Sequence, residues 1–213
     1  MSEGATKVAI IRTGVANLAS VLAGFARAGV ETELVEDAAT VAAATHVLLP
    51  GVGAFGAGMA ALAERGLVEP LRARIAAGRP TMAICLGLQL LAEGSEETPG
   101  VAGLGVLPGV IGRYAATVKV PQLGWNKVTP DAGMHFVTPG YAYFANSYRL
   151  ATAPDGWRVA WAEHGGPFCA ALERGAVLAC QFHPELSSAW GLGLLRRWLA
   201  GAPAEALTSG RAG

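Results

Sequence analysis

Thr81-Met82-Ala83-Ile84-Cys85-Leu86-Gly87-Leu88-Gln89-Leu90-Leu91 is the stretch whose reading decides the fold. Thr81 to Ile84 is a short apolar run of the kind that forms a buried parallel strand, and the residues after Cys85 have helical spacing. The frame Ala83-x-Cys85-x-Gly87 suits a sharp strand-to-helix elbow, where small residues two positions either side of the turn avoid clashes. Such an elbow lifts a sulfur above the sheet beside a helix N-terminus, where free N–H groups favour the reactive thiolate. A lone cysteine in an apolar run is more often a core residue. The rest of the chain decides between the two.

Upstream, strands and helices alternate. Lys7 to Ile11 reads as a strand, Leu18 to Ala28 as a helix stopped by Gly29, and Thr32 to Val35 as a strand. A short helix over Ala38 to Ala44 and a uniformly apolar strand over His46 to Leu49 follow. Two more helices, Ala57 to Arg65 and Val68 to Ala77, lead to Gly78-Arg79-Pro80 and the Cys85 strand. This alternation predicts an α/β fold with a mostly parallel central sheet flanked by helices. The third strand runs into Pro50-Gly51-Val52-Gly53, whose glycines let the backbone approach a ligand and turn N–H groups inward. Phosphate cradle, nucleotide loop and oxyanion hole all fit this pattern. Ligands in open α/β sheets bind beyond the carboxyl ends of the strands, so this loop and the Cys85 elbow are expected to share one crevice.

Downstream, Glu93-Gly94-Ser95-Glu96-Glu97 reads on its own as a solvated acidic loop. From about Leu104 glycine and proline punctuate short strand-like runs, at Gly105 to Val110, Tyr114 to Val118, Tyr141 to Phe144, Trp157 to Ala162, Phe168 to Leu172 and Val177 to Gln181. These predict antiparallel hairpins in the C-terminal half. Ser188 to Ala200 closes the chain as an amphipathic helix, with Leu192, Leu195, Trp198 and Leu199 on its apolar side. With no repeat and no linker, residues 1–200 are expected to form one domain, with a loose start over 1–6 and a disordered tail over 201–213.

The run Val177 to Phe182 delivers His183-Pro184-Glu185. A histidine at a strand end with an acid two residues later has the form of a base and its orienting carboxylate. His46, His135 and His164 lack this arrangement.

Composition bounds the remaining classes. The 213 residues are 52% apolar and 15% charged with zero formal net charge, which fits a globular domain and gives no nucleic-acid footprint. No apolar run reaches the ~18 residues of a membrane span, and no signal-peptide pattern opens the chain, so a cytoplasmic location is expected. Cys85, Cys169 and Cys180 form no CxxC pair; one catalytic thiol and two structural ones fit better than a disulfide framework or a metal site.

Pro50-Gly-Val-Gly, Ala83-Ile-Cys85-Leu-Gly-Leu-Gln89 and Gln181-Phe-His183-Pro-Glu185, in this order, resemble the class I (triad) glutamine amidotransferases, which have a flavodoxin-like fold. Gly94-Ser-Glu-Glu97, Val120-Pro-Gln-Leu-Gly-Trp-Asn126 and Tyr143-Phe-Ala-Asn-Ser-Tyr148 narrow the resemblance to the glutaminase subunits of imidazole glycerol phosphate synthases, in histidine biosynthesis. It covers about residues 7–200. It implies Cys85 as nucleophile, His183 as base, Glu185 as its orienting group, and an oxyanion hole from the Leu86 N–H and the Gly51-Val52-Gly53 loop. It also implies that this loop must reorient for activity, and that Gln89, Glu97 and Ser147 hold the amino acid end of glutamine. No cofactor and no metal are implied. The implied partner is a TIM-barrel cyclase subunit that takes the ammonia, docked over Gly14, Asn17, the Pro50 loop, Trp125, Asn126 and Tyr143. An amidotransferase subunit for anthranilate, aminodeoxychorismate or pyridoxal phosphate synthesis is the alternative. The chain departs from the pattern at Arg12-Thr13-Gly14-Val15-Ala16-Asn17, where Asp-Tyr-Gly-x-Gly-Asn is usual. Ala83 stands where glycine is common, and Gln122 and Asn146 where histidine is.

Overall fold

A computed structural model of the chain describes residues 7–14 and 17–201. The expected loose start, and the expected tail apart from Gly201, lie outside the described residues. The chain opens with β1 (Lys7–Ile11), α1 (Leu18–Ala28), β2 (Glu31–Val35), α2 (Ala38–Ala43) and β3 (His46–Leu49). It continues through α3 (Phe55–Glu64), α4 (Val68–Ala76), β4 (Thr81–Ile84) and the five-residue α5 (Leu86–Leu90). The second half holds β5 (Ala92–Ser95), β6 (Leu107–Arg113), β7 (Gln122–Pro130), β8 (Gly140–Asn146) and β9 (Tyr148–Arg149). β10 (Arg158–Glu163), β11 (Pro167–Arg174), β12 (Val177–Cys180), a 3₁₀ turn over Pro184–Leu186 and α6 (Ser188–Ala200) complete it.

Nine strands form one sheet in the order β2-β1-β3-β4-β12-β11-β10-β7-β8. The first five run parallel and the remainder pair antiparallel. A second sheet, β5-β6-β9, packs beside them. β4 and β12 are buried along their whole length, as strands covered by layers on both faces must be. Alternation along β1 sorts the core. Ala9 and Ile11 face a cluster with Val41, Phe55, Leu62, Leu71 and Ile75 from α2, α3 and α4. Val8 and Ile10 face the opposite cluster, with Phe25 of α1 and Leu194, Leu195 and Trp198 of α6. Leu194 joins the buried side of α6, whereas Leu192 and Leu199 are only half-buried, which corrects the expected apolar stripe.

Two local expectations fail, and one strand had no local signal. Glu93 to Ser95 is not a loop: it lies in β5, which pairs with β6. Tyr114 to Val118 is not a strand, since β6 ends at Arg113 and the Val118 N–H closes a turn onto the Ala115 carbonyl. The nine-residue β7, read only as a motif, is the longest strand described. Gly124 and Asn126 hide it from a propensity reading, and it exists because β8 and β10 supply its hydrogen bonds.

Candidate active site

β4 and β12 are neighbours in parallel register, Val177 opposite Thr81 through Cys180 opposite Ile84. Their carboxyl ends therefore emerge side by side, one carrying Cys85 and the other the segment to His183. The Cys85 N–H donates to the Cys180 carbonyl at 2.7 Å, which ties the elbow to β12. Cys85 has φ 55° and ψ −109°, an unusual backbone conformation for a residue with a side chain and the mark of a strained turn. Gly87 explains its place in the frame: a Cβ there would collide with the Leu49 carbonyl at the end of β3.

His183 is held from several directions. Its N–H donates to the Tyr143 carbonyl of β8 at 2.9 Å, and its carbonyl accepts from the Ser187 hydroxyl at 2.6 Å. Pro184 starts the 3₁₀ turn that brings Glu185 back, so that Glu185 Oε1 lies 2.9 Å from His183 Nδ1. Arg27 of α1 donates to the Glu185 carbonyl at 2.9 Å and fixes the turn from behind. Cys85, His183 and Glu185 are each about 5% exposed (6%, 6% and 5%). Burial alone would lower the imidazole pKa. Hydrogen bonds and charge from Cys85 and Glu185 outweigh it and raise the pKa to about 10. The ring is thus a strong proton acceptor next to the thiol. Burial pushes the other two thiols the opposite way, Cys169 up to about 12 and Cys180 well above the usual thiol range, leaving both unreactive.

Cys85 and His183 open onto a cavity of about 340 Å³. Gln89, Glu97, Ser147, Val52, Gly53 and Leu86 line it too, so the sequence-predicted nucleophile, base and substrate residues share one chamber. Glu97 Oε2 accepts from the Phe55 N–H at 2.7 Å, anchoring the carboxylate to the start of α3. Gln89 donates to the Tyr148 carbonyl and to Gln181 Oε1, each at 3.1 Å. The oxyanion donors are not both presented: the Leu86 N–H donates to the Gly51 carbonyl at 3.3 Å, so the loop expected to help it instead covers it. A larger cavity of about 570 Å³ lies between α1 and α6, behind Glu185, and neither Cys85 nor His183 lines it. Among the described residues no group of three or more His, Cys, Asp or Glu is arranged to hold a metal ion.

Gly14 and Asn17 follow β1, on the same carboxyl-end side of the sheet as the Pro50 loop and Cys85. Asn17 caps α1, accepting from the Ser20 N–H at 3.4 Å. Trp125 is 55% exposed, which rules out the core role open to a tryptophan, and packs edge-on against Tyr143 across the β7–β8 pair. Leu123 and Tyr141, unremarked in the sequence, extend that apolar face. Asn126 alternates to the other face and donates to the Glu163 carbonyl at 2.8 Å, so it is not part of the exposed patch. Sequence reasoning missed further residues. Gln181, fully buried, donates to Cys85 Sγ at 3.8 Å. Asn146 lines the cavity, and Tyr114 and Gln122 back it. Gln181 stands inside the quoted His183 motif, and Gln122 and Asn146 stood out only as departures.

The family described as "Glutamine amidotransferase class-I" matches residues 10–199. The chain is 43% identical to "Imidazole glycerol phosphate synthase subunit HisH" of Symbiobacterium thermophilum, covering 90% of this chain and 92% of that protein. It is 41% identical to the protein of that name from Rhodopirellula baltica, over 93% and 98%. Among solved structures, a "Crystal structure of glutamine amidotransferase" superposes with a TM-score of 0.73 at 21% identity, over 91% of this chain and 97% of that one. "Structure of PurLQS from Thermotoga maritima" superposes with 0.72 at 16%, over 92% and 98%. These two likenesses concern the fold.

Proposed function

The chain belongs to the class I glutamine amidotransferase family, and on that premise we propose that it is the glutaminase subunit of an imidazole glycerol phosphate synthase. It hydrolyses glutamine to glutamate and ammonia and passes the ammonia to a partner subunit. The observation that carries this reading is the meeting of Cys85 and His183 at one cavity with Gln89, Glu97 and Ser147, with Glu185 Oε1 2.9 Å from His183 Nδ1 behind them.

His183 takes the thiol proton, and the Cys85 sulfur attacks the side-chain amide carbon of glutamine. The tetrahedral intermediate places negative charge on the former carbonyl oxygen. As it collapses, the imidazolium gives its proton to the departing nitrogen, releasing ammonia and leaving a γ-glutamyl thioester. Water, deprotonated by the now neutral His183, attacks the thioester; glutamate leaves and the thiolate–imidazolium pair returns. Glu185 orients the ring and stabilises its charge. Glu97 pairs with the substrate ammonium, and Gln89 and Ser147 hold the same end. The Leu86 N–H becomes an oxyanion donor once the Gly51 carbonyl turns away, and the loop can then offer an N–H of its own. That rotation turns the Gly51–Val52 peptide, and Gly51, without a side chain, lowers its cost.

Ammonia protonates in water and loses its nucleophilicity, so the two subunits must dock and exclude solvent. In this reading the partner is a TIM-barrel cyclase that makes imidazole glycerol phosphate and AICAR. It docks over the exposed Trp125 and Tyr143 face, and residues 1–200 act as one cytoplasmic domain. The test measures glutamate release by the purified chain, alone and with a histidine-pathway cyclase and its nucleotide ligand. Weak activity alone and strong stimulation by the cyclase are expected. Cys85→Ala should abolish glutamine-dependent synthesis and spare synthesis driven by added ammonia; loss of both overturns the division of labour.

A further inference from the structure

An unbroken line of buried amides and hydroxyls runs from the β7–β8 pair to the nucleophile. Gln122 and Asn146 face each other across those strands. The Tyr114 hydroxyl joins them, donating to Gln122 Oε1 at 2.8 Å and accepting from Asn146 Nδ2 at 2.9 Å. Asn146 Nδ2 also donates to the Tyr148 carbonyl at 3.0 Å, and Gln89 Nε2 donates to the same oxygen at 3.1 Å. Gln89 gives its second N–H to Gln181 Oε1, and Gln181 Nε2 then reaches Cys85 Sγ at 3.8 Å. None of these side chains is more than 6% exposed.

The direction of every bond in the line follows from one atom. A backbone carbonyl can only accept, so the atoms of Gln89 and Asn146 that face Tyr148 must be their amide nitrogens. Gln89 therefore presents an N–H to Gln181, which must answer with its oxygen, and the Gln181 nitrogen is left facing the sulfur. Gln181 is fully buried and among the described residues no other acceptor is within reach of that N–H, so the amide cannot flip without leaving two buried groups unpaired.

We propose that Gln181 is a further catalytic residue: its fixed amide N–H donates to the Cys85 sulfur, favouring the thiolate and holding it in line for attack. A hydrogen bond to the charged form favours that form, and charge-assisted bonds are roughly twice as strong as neutral ones. The donor matters most when the thioester is hydrolysed, because the sulfur then departs as an anion before the next cycle begins. The inference rests on Cys85 being the nucleophile of the proposed function.

The groups that titrate around the sulfur are His183 from the β12 turn, Glu185 through His183, Glu97 across the cavity and Tyr114 behind it. Burial raises the Tyr114 pKa and keeps its hydroxyl protonated, a neutral link in the line. None of the four is altered in Gln181→Met, which removes both polar atoms, whereas Gln181→Glu keeps the shape of the side chain, turns the donor into an acceptor and adds a titratable group at the sulfur. Iodoacetamide alkylation, followed against pH with Cys85→Ala as blank, reads the thiolate directly, since Cys169 and Cys180 are held protonated. Both variants should shift the profile to higher pH by about one unit, a tenfold loss of thiolate. Both should lower kcat at least tenfold, and Gln181→Glu, which still accepts from Gln89, should keep KM within about threefold, the pattern of an interaction made to the reacting atom and not to substrate. If either variant folds and keeps the wild-type alkylation profile and kcat, the inference is overturned. If instead Cys85→Ala retains glutaminase activity, the proposed function itself fails.

Discussion

Glu185 Oε1 holds His183 Nδ1 at 2.9 Å, and with Cys85 it lifts the imidazole pKa to about 10. The sign sets a pH profile. A raised pKa keeps the imidazolium present through neutral pH and loses it only as pH climbs through that value, so the proton needed by departing ammonia is available well into the alkaline range. kcat/KM for glutamine should hold its alkaline limb near pH 10. Glu185→Gln removes the anionic partner that raises the pKa; the limb should move down by at least one unit, and kcat/KM should fall by about 10²-fold or more. A pH–rate series on the two proteins checks both, and an unmoved limb would show that Glu185 only fills space. Cys85, His183 and Glu185 were legible in the sequence because each stands in a short motif whose chemistry requires that residue type. Gln181 was not, because nothing in a lone buried glutamine says which sulfur it faces.

Elements enter through close approach. Gly24 lets α1 pass directly beneath the 3₁₀ turn, and a Cβ there would lie 2.9 Å from Glu185 Cβ and 3.3 Å from its Cα. Gly24→Ala should therefore push Glu185 off His183. Alanine favours the helix by about 1 kcal/mol, so the fold is expected to survive. A displacement of a few tenths of an ångström at an orienting residue should lower kcat/KM about tenfold, since misplacements near 1 Å cost 10²-fold. Circular dichroism with steady-state kinetics separates the two effects; wild-type activity would mean that the turn yields without moving the carboxylate. The bounds of β1, α1, β3, β4 and α6 coincide with their sequence readings because uniform apolar runs, Gly29 and the helical period are local signals. β7 was illegible because its stability is lent by β8 and β10, which no local window contains.

At the scale of the molecule, one sheet separates two cores and gathers four turns at its carboxyl edge: after β1, after β3, after β4 and after β12. The β7–β8 pair at the end of the sheet turns Trp125, Leu123 and Tyr141 outward, 55%, 68% and 60% exposed, while its inner face carries Gln122 and Asn146 toward the cavity. One hairpin thus joins an exposed aromatic surface to the chamber wall. Trp125→Ala should weaken binding to the partner by about 2 kcal/mol, the loss typical of a central interface aromatic, and reduce stimulated glutaminase accordingly. Its effect on the isolated chain should stay within about 0.5 kcal/mol, because the ring is already half in solvent. Titration with the partner and thermal unfolding of the free chain measure the two terms, and equal losses in both would place Trp125 in the fold and not at the docking face.

By itself the sequence determined the fold class and marked Cys85, His183 and Glu185 as candidates, since these depend on residue type and short spacing; Gln89, Glu97 and Ser147 entered only through resemblance to a family, and the structure sets them around the same cavity as Cys85. Only the tertiary structure decided that β4 and β12 lie side by side, that the Gly51 carbonyl covers the Leu86 N–H, and that a buried amide line ends on the Cys85 sulfur. Those facts are contacts between residues far apart in the chain, and strand order, peptide orientation and amide direction are fixed by the packing and hydrogen-bond balance of the whole fold.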